Sequence, residues 1–233
     1  MLCLNNFNGA KLIFMEGQSN VAVIAGSTGL VGAELLDMLL ESKKYDKVYS
    51  LVRKSTGKQN PKLIELLVDY DELKNTLSSI TDVNDVYCCL GTTMKVAGSK
   101  MAFRKVDFLY PLFLAEWAVE KKVNQFLMIS AMGANPHSSI YYNRIKGEIE
   151  NEVAALPINS VAFFRPSLLL GNRKEKRIGE KIGIAIFKTL SFLFVGILKN
   201  YKGIEASKVA KAMIDHASKQ KTGKEIILSG QML

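Results

Sequence analysis

The stretch Val21-Ala22-Val23-Ile24-Ala25-Gly26-Ser27-Thr28-Gly29-Leu30-Val31-Gly32 decides the fold of this 233-residue chain. Its five leading apolar residues predict a strand that is covered on both faces, as in a parallel sheet. Apolar residues recur at helical spacing after the glycines, at Leu35, Leu36, Leu39 and Leu40. The order strand, glycine turn, helix is typical of a loop that binds the phosphates of a dinucleotide.

Each of the three glycines has its own task in such a loop. Gly26 lets the chain reverse, Gly29 lets the backbone approach a pyrophosphate, and Gly32 lets the helix pack closely on the strand. The alternative is a glycine-rich turn that binds no ligand.

The end of the second predicted strand, residues 48–52, indicates which dinucleotide is preferred. Arg53 and Lys54 follow this strand with no Asp or Glu beside them. At this place an acidic residue accepts a hydrogen bond from the ribose 2′-hydroxyl, whereas a basic residue accommodates a 2′-phosphate. The pattern therefore favours NADP over NAD, and two basic residues that simply end a strand in solvent are the alternative.

Strands and helices alternate along the rest of the chain. We predict further strands at 66–68, 83–90, 125–130, 161–164 and 225–228, and helices that start near 71, 100, 141 and 206, the second of them running to 122. This alternation, without an internal repeat, predicts an α/β fold with a Rossmann-type doubly wound parallel sheet and a small C-terminal substrate region. We expect an N-terminal extension at 1–19, one domain over 20–233 and a substrate or lid region at about 167–205.

Composition and charge restrict the function classes. The net charge of +9 suits an anionic ligand, but the basic residues are spread along the chain and form no stripe with aromatic residues, so we expect no nucleic-acid binding. Three cysteines, an odd number, indicate a reducing compartment and a cytoplasmic location. Two isolated histidines indicate that no metal is bound.

Two further segments bear on location. Residues 1–18 do not resemble a signal peptide. The apolar stretch 182–198 is interrupted by Lys188 and is shorter than the roughly twenty residues that a membrane span needs, so we expect a buried or lid-forming helix there and no membrane span.

The helix that starts near Tyr141 places a lysine on its apolar face. One stripe of this helix contains Tyr142, Ile145, Lys146, Ile149, Val153 and Leu156. Because burial of an ammonium group is costly, Lys146 one turn after Tyr142 suggests a working pair in which the ammonium lowers the pKa of the tyrosine. The alternative is that Tyr142 packs in the core while Lys146 reaches the helix edge.

Together these motifs resemble the short-chain dehydrogenase/reductase family. The resemblance rests on Gly26-x-x-Gly29-x-x-Gly32, on Tyr142-x-x-x-Lys146 and on Ser130 at the end of the fifth strand. The segments 88–93, 146–148 and 164–166 are similar to the atypical subgroup of this family that includes the human Tat-interacting oxidoreductase-like protein. The likeness covers roughly residues 21–180.

The resemblance implies that NADPH lies over the first five strands and exchanges hydride with a carbonyl or alcohol substrate. Tyr142 then donates the proton, Lys146 holds the nicotinamide ribose, and Ser130 orients the carbonyl oxygen. The implied cofactor contacts are Gly26, Ser27, Thr28, Gly29, Leu30, Val31, Gly32, Arg53, Lys54, Leu90, Gly91, Tyr142, Lys146 and Arg177.

One departure from the family pattern keeps a second function open. Asp107 falls where the family usually has an asparagine that supports a water-linked proton relay, and an ionised carboxylate cannot donate a hydrogen bond as an amide does. The alternative is therefore an NADPH-binding redox sensor or scaffold protein without turnover.

A sugar-nucleotide epimerase is a third hypothesis, although the region after the sixth strand is short. The sequence leaves open a homo-oligomer or a protein partner.

Overall fold

The computed structural model of the protein describes residues 19–170 and 203–233. The N-terminal extension, Arg177, the apolar stretch 182–198 and most of the expected lid region lie outside the described residues.

A parallel sheet of seven strands forms the centre of the described structure. These strands are β1 (Val21–Ala25), β2 (Lys47–Val52), β3 (Leu63–Leu67), β4 (Asp85–Cys88), β5 (Gln125–Ile129), β6 (Ser160–Arg165) and β9 (Gly223–Leu228). A separate pair is formed by β7 (Leu169–Leu170) and β8 (Ile204–Glu205). The seven strands are ordered β3-β2-β1-β4-β5-β6-β9, so the winding direction reverses between β1 and β4. This order confirms the predicted doubly wound Rossmann-type fold.

Helices connect the strands. They are α1 (Leu30–Glu41), α2 (Leu73–Leu77), α3 (Met94–Ala97), α4 (Lys100–Arg104), α5 (Tyr110–Glu120), α6 (Tyr141–Ala155) and α7 (Ala206–Ser218), with a π-helical turn at Lys105–Leu109 and a 3-10 turn at Ser229–Gln231. Within the described ranges, no helix is both long and apolar enough to cross a membrane.

Both faces of the sheet carry a hydrophobic core, which explains the uninterrupted apolar run of β1. Ala22 and Ile24 face the cluster that contains α1 and α7, whereas Val21, Val23 and Ala25 face the cluster that contains α5 and α6. All five side chains are buried. The two covered faces leave the ends of the strands as the place where a ligand can reach the sheet.

The region between β4 and β5 differs most from the sequence expectation. The single helix expected over 100–122 is three segments, α4, the π-helical turn and α5, and α3 precedes them. The hydroxyls of Thr93 and Ser99 cap α3 and α4 by accepting hydrogen bonds from main-chain N–H groups. Helix α3 buries none of its side chains, so it leaves no periodic apolar signal in the sequence.

Two strands also differ in their bounds. Strand β3 covers 63–67, whereas 66–68 was expected, because at this edge of the sheet its side chains are only partly buried and Leu67 is exposed. Strand β4 ends at Cys88, two residues before the expected end at Leu90. Cys88 packs in the α5–α6 cluster and Cys89 against the α1–α7 cluster, so the two side chains lie on opposite faces of the sheet.

Candidate active site

The carboxyl ends of four neighbouring strands bring the candidate residues to one edge of the sheet. The parallel register aligns the ends of β1, β2, β4 and β5, which are followed by Gly26, Arg53, Cys89 and Ser130 respectively. The winding direction reverses between β1 and β4 at this edge, and open α/β sheets bind their ligands at such a point.

Close backbone packing in the loop from β1 to α1 requires glycine at two positions. Gly26 has φ +85°, and a Cβ on it would lie 2.5 Å from the carbonyl oxygen of Cys89. A Cβ on Gly32 would lie 2.0 Å from the carbonyl oxygen of Gly26. The first glycine therefore reverses the chain and the third lets α1 pack against the turn, as their spacing predicts.

The other residues of this loop differ in whether their side chains or only their main-chain groups are accessible at the carboxyl end of the sheet. Thr28 and Gly29 are exposed. Gly29 is the N-cap residue of α1 and has no side chain that could cap the first turn. Ser27 is buried and its Oγ accepts a hydrogen bond from Ser50 Oγ at 2.7 Å, while Val31 packs in the core. Ser27 and Val31 therefore offer an anion main-chain groups only, whereas Thr28 also offers its hydroxyl.

Arg53 and Lys54 are exposed at the end of β2. Neither side chain forms an ion pair with another residue of the described ranges. The loop that follows them is anchored by Glu65 on β3, whose carboxylate accepts hydrogen bonds from Ser55 Oγ at 2.6 Å and from the main chain and hydroxyl of Thr56. The two cations thus lie at the strand end without a counter-ion among the described residues.

Lys146 lies on the buried face of α6, as its stripe predicts, and not at the helix edge. Its side chain is 4% exposed, and Nζ lies 2.8 Å from Oδ1 of Asp107, which is fully buried. Burial alone would lower the pKa of Lys146, but the carboxylate of Asp107 and the neighbouring Tyr142 raise the pKa above its ordinary value. Lys146 is therefore a buried charged group beside Gly91, which follows the carboxyl end of β4.

Tyr142 and Ser130 lie at the same end of the structure. The ring of Tyr142 is half-buried and packs on Phe103, with ring centroids 5.7 Å apart. Ser130 is buried, its main-chain N–H donates to the carbonyl oxygen of Phe164 at 2.7 Å, and its Oγ has no hydrogen-bond partner in the described structure. An unpaired buried hydroxyl costs about 1–3 kcal/mol, and a ligand oxygen would satisfy it.

Gly147 sets the position of α6, and the sequence offered a signal for it. A Cβ on Gly147 would lie 2.2 Å from the main-chain nitrogen of Pro136, so the loop after β5 packs directly on the helix backbone. Glycine in a helix interior costs about 1 kcal/mol relative to alanine, which makes it a mark of close packing. This contact places Lys146 beside the loop that carries Ser130.

Several features of this edge fit a dinucleotide. They are a glycine turn closed to side chains, and two cations and one buried hydroxyl that have no partner among residues 19–170 and 203–233. In the part of the chain that the structure describes, no group of three or more His, Cys, Asp and Glu residues could hold a metal ion.

A comparison with protein families and curated proteins gives consistent matches. Residues 22–232 match the model of the NAD dependent epimerase/dehydratase family. The chain is 33% identical to Protein FMP52, mitochondrial, of Candida albicans over 220 residues, which cover 90% of this chain and 95% of that protein. It is 31% identical to Protein HTATIP2 of Rattus norvegicus, with 74% of this chain and 72% of that protein covered.

Solved structures share the fold at low sequence identity. MoeE5 in complex with UDP-glucose and NAD has a TM-score of 0.66 and 15% identity, with 89% of this chain and 75% of that chain covered. WbmG of Bordetella bronchiseptica in complex with NAD has a TM-score of 0.64 and 15% identity, with 94% and 75% covered.

Proposed function

This chain belongs to the NAD dependent epimerase/dehydratase family, and from that membership we propose that it is an NADPH-dependent oxidoreductase that moves hydride between the nicotinamide and a carbonyl or alcohol substrate. The membership agrees with the short-chain dehydrogenase/reductase resemblance of the sequence. The buried Lys146 and the unpaired Ser130 hydroxyl support chemistry at the strand ends.

The preference for NADPH over NADH rests on one observation. Arg53 and Lys54 are exposed at the end of β2 with no acidic residue beside them and no ion pair to the described structure. A guanidinium fork matches the geometry of a phosphate, so these residues would hold the 2′-phosphate. The main chain of 26–32 would bind the pyrophosphate, and Leu90 and Gly91 would line the ring. The proposed contact of Arg177 rests on the sequence alone.

In the proposed reaction, three side chains act on the substrate oxygen and the cofactor ribose. The nicotinamide, when bound, supplies or accepts the hydride. Tyr142 donates its hydroxyl proton to the carbonyl oxygen, and Ser130 donates a hydrogen bond to the same oxygen. Lys146 would hold the ribose hydroxyls with its ammonium.

A sensor or scaffold that binds NADPH without turnover is the second candidate. The direct ion pair between Asp107 and Lys146 favours it, because Asp107 occupies the place of the amide that supports the family's proton relay. Both candidates require NADPH binding, and only the first requires a proton donor at Tyr142.

The first test is a fluorescence titration with NADPH and NADH in parallel, on the wild type and on Arg53→Ala. Loss of a charged contact to the 2′-phosphate should weaken NADPH binding about tenfold or more and leave NADH binding unchanged. Lys47→Ala is the matched control, since Lys47 is an exposed cation at the opposite end of the same strand. Equal loss for both nucleotides, or no loss, would refute the Arg53 assignment.

Location and assembly remain predictions. The sequence favours the cytoplasm, but several relatives carry the word mitochondrial in their names, so we propose both compartments for test by cell fractionation. We also propose a small-molecule substrate. Size-exclusion chromatography with light scattering would show whether the protein forms a homo-oligomer or binds a protein partner.

A further inference from the structure

A π-helical turn directs Asp107 into the protein. The turn Lys105–Leu109 lies between α4 and α5, and a π turn holds more residues than an α turn, which changes the direction of the side chains that follow. Asp107 is fully buried as a result. Lys105, two residues earlier, stays at the surface, where its Nζ lies 2.6 Å from Asp71.

The carboxylate of Asp107 joins three elements of the candidate site. Its Oδ1 lies 2.8 Å from Nζ of Lys146 on α6, and its Oδ2 accepts a hydrogen bond from the main-chain N–H of Thr92 at 2.8 Å. Gly91 borders the same pair, because a Cβ on it would lie 3.4 Å from Oδ1 and 3.7 Å from Nζ. The pair therefore lies against the segment after β4 that we propose as the wall of the nicotinamide site.

Asp107 is the counter-ion that lets Lys146 stay charged. Three titratable groups influence Lys146: Asp107 from the π turn, Tyr142 from α6 and Cys88 from β4. Burial raises the pKa of the Cys88 thiol to about 11, so this thiol is neutral at physiological pH. Without Asp107, burial would dominate and lower the pKa of Lys146.

From this geometry we propose that Asp107 is a positioning residue that holds the Lys146 ammonium, charged and in place, against the nicotinamide ribose. The proposal rests on the proposed cofactor contact of Lys146. Asp107 then contacts Lys146 through a direct ion pair, and both candidate functions can use this contact because both bind NADPH. A merely structural ion pair would affect stability alone and would leave the pH dependence of cofactor binding unchanged.

The test compares Asp107→Asn with the wild type in NADPH titrations from about pH 7 to about pH 9.5. The amide can still accept from the Thr92 N–H but carries no charge, so burial should bring the pKa of Lys146 below its ordinary value and into this pH range. We expect NADPH affinity of the variant to fall about tenfold over this range, while that of the wild type stays constant.

Glu148→Gln is the matched control. Glu148 pairs with Arg104 at 2.6 Å and so joins α6 to α4, but it is only half-buried and forms no ion pair with Lys146 among the described residues. This variant should show the wild-type pH dependence. A pH-independent affinity in Asp107→Asn would overturn the proposal, and so would the same pH dependence in both variants.

A second measurement separates this proposal from the proposed function and needs no substitution at Asp107. Nitrogen-15 NMR of the lysine side chains, with Lys146 assigned through Lys146→Arg, follows its titration in the ligand-free wild type. The proposal expects Lys146 to stay protonated beyond the ordinary lysine pKa of about 10.4. A Lys146 pKa at or below that value would overturn the proposal. This measurement uses the wild type, so it also decides the matter if Asp107→Asn fails to fold. Absence of NADPH binding to the wild type, with Lys146 protonated throughout, would instead refute the proposed function.

Discussion

Two neighbouring tyrosines at the start of α6 show how one residue's environment sets its role. The hydroxyl of Tyr141 donates to the carbonyl oxygen of Lys100 at 3.0 Å, and the cations of Lys100 and Arg144 lie over its ring. Tyr142 packs on Phe103, and no hydrogen bond joins its hydroxyl to another described residue. Tyr141 thus stabilises the fold, whereas the hydroxyl of Tyr142 has no partner among the described residues, as the proposed proton donor requires.

This contrast gives a prediction for single residues. Tyr142→Phe removes the proposed proton donor, so NADPH-dependent reduction of a carbonyl substrate should fall about 10²–10⁴-fold with NADPH affinity retained. The measurement is NADPH oxidation with a panel of aldehydes and ketones. Tyr141→Phe should keep most of the activity. A wild type that binds NADPH but oxidises it with no carbonyl compound would favour the sensor function.

Among the elements, the loop between β1 and α1 separates a requirement of the fold from a requirement of binding. Backbone atoms leave no room for a side chain at Gly32, since a Cβ there would lie 2.0 Å from the Gly26 carbonyl oxygen. At Gly29 the same atom lies at 3.3 Å, a contact that a small shift can relieve. Gly32 therefore serves the packing of α1, whereas Gly29 is open toward the ligand edge.

Substitution by alanine should distinguish these two positions. Gly32→Ala forces backbone apart and should cost about 3 kcal/mol or more, which lowers Tm by roughly 6–12 °C in a chain of this size. Gly29→Ala should cost about 1 kcal/mol and mainly weaken NADPH binding, because its methyl group faces the pyrophosphate. Thermal unfolding and NADPH titration of both variants test this, and equal Tm values would contradict the assignment.

At the scale of the whole molecule, a buried hydrogen-bond network and the proposed ligand site lie at opposite ends of the sheet. At the amino end of β4, the carboxylate of Asp85 accepts hydrogen bonds from Lys44 at 2.5 Å, from Tyr45 and from Gln125. Lys44 and Gln125 also donate to the carbonyl oxygen of Ala217 on α7. This network ties α7 to the amino ends of the strands, away from the proposed ligand site at their carboxyl ends.

The docking of α7 makes the stability of the molecule depend on pH. His216 is buried on α7, packs edge-on against Phe164 of β6, and has Nδ1 3.6 Å from the Glu225 carboxylate of β9. Burial lowers the pKa of His216 and outweighs the attraction of Glu225. The folded-state pKa thus lies below the unfolded value of about 6.5, so stability is fully present above about pH 6.5 and is lost as the pH falls.

Thermal unfolding between about pH 7.5 and about pH 5.5 tests this dependence. The Tm of the wild type should fall over this range, and His216→Phe should show a smaller fall because no proton binds on unfolding at that position. His137→Phe is the control, since His137 is exposed. Equal falls in Tm for all three proteins would show that His216 does not carry the effect.

Local spacing predicted much of the fold and of the candidate site. The apolar run and glycines of 21–32 predicted β1, its turn and α1, and the stripe of α6 predicted a buried Lys146. These predictions were confirmed because the spacing of apolar residues and the placement of glycines can be read within a short stretch of sequence. The bounds of β3 and the existence of α3 were missed, since edge strands and surface helices bury too few side chains to leave a pattern.

The sequence by itself determined the type of sheet, the phosphate-loop candidate and the residues gathered at one sheet edge, because parallel strands bring their carboxyl ends together. Only the tertiary structure decided what Asp107 does. The sequence presented it as a departure from a family pattern, whereas the π turn buries it and pairs it with Lys146. That pairing joins residues far apart in the chain and depends on packing between α6, the π turn and the segment after β4, which no local pattern records.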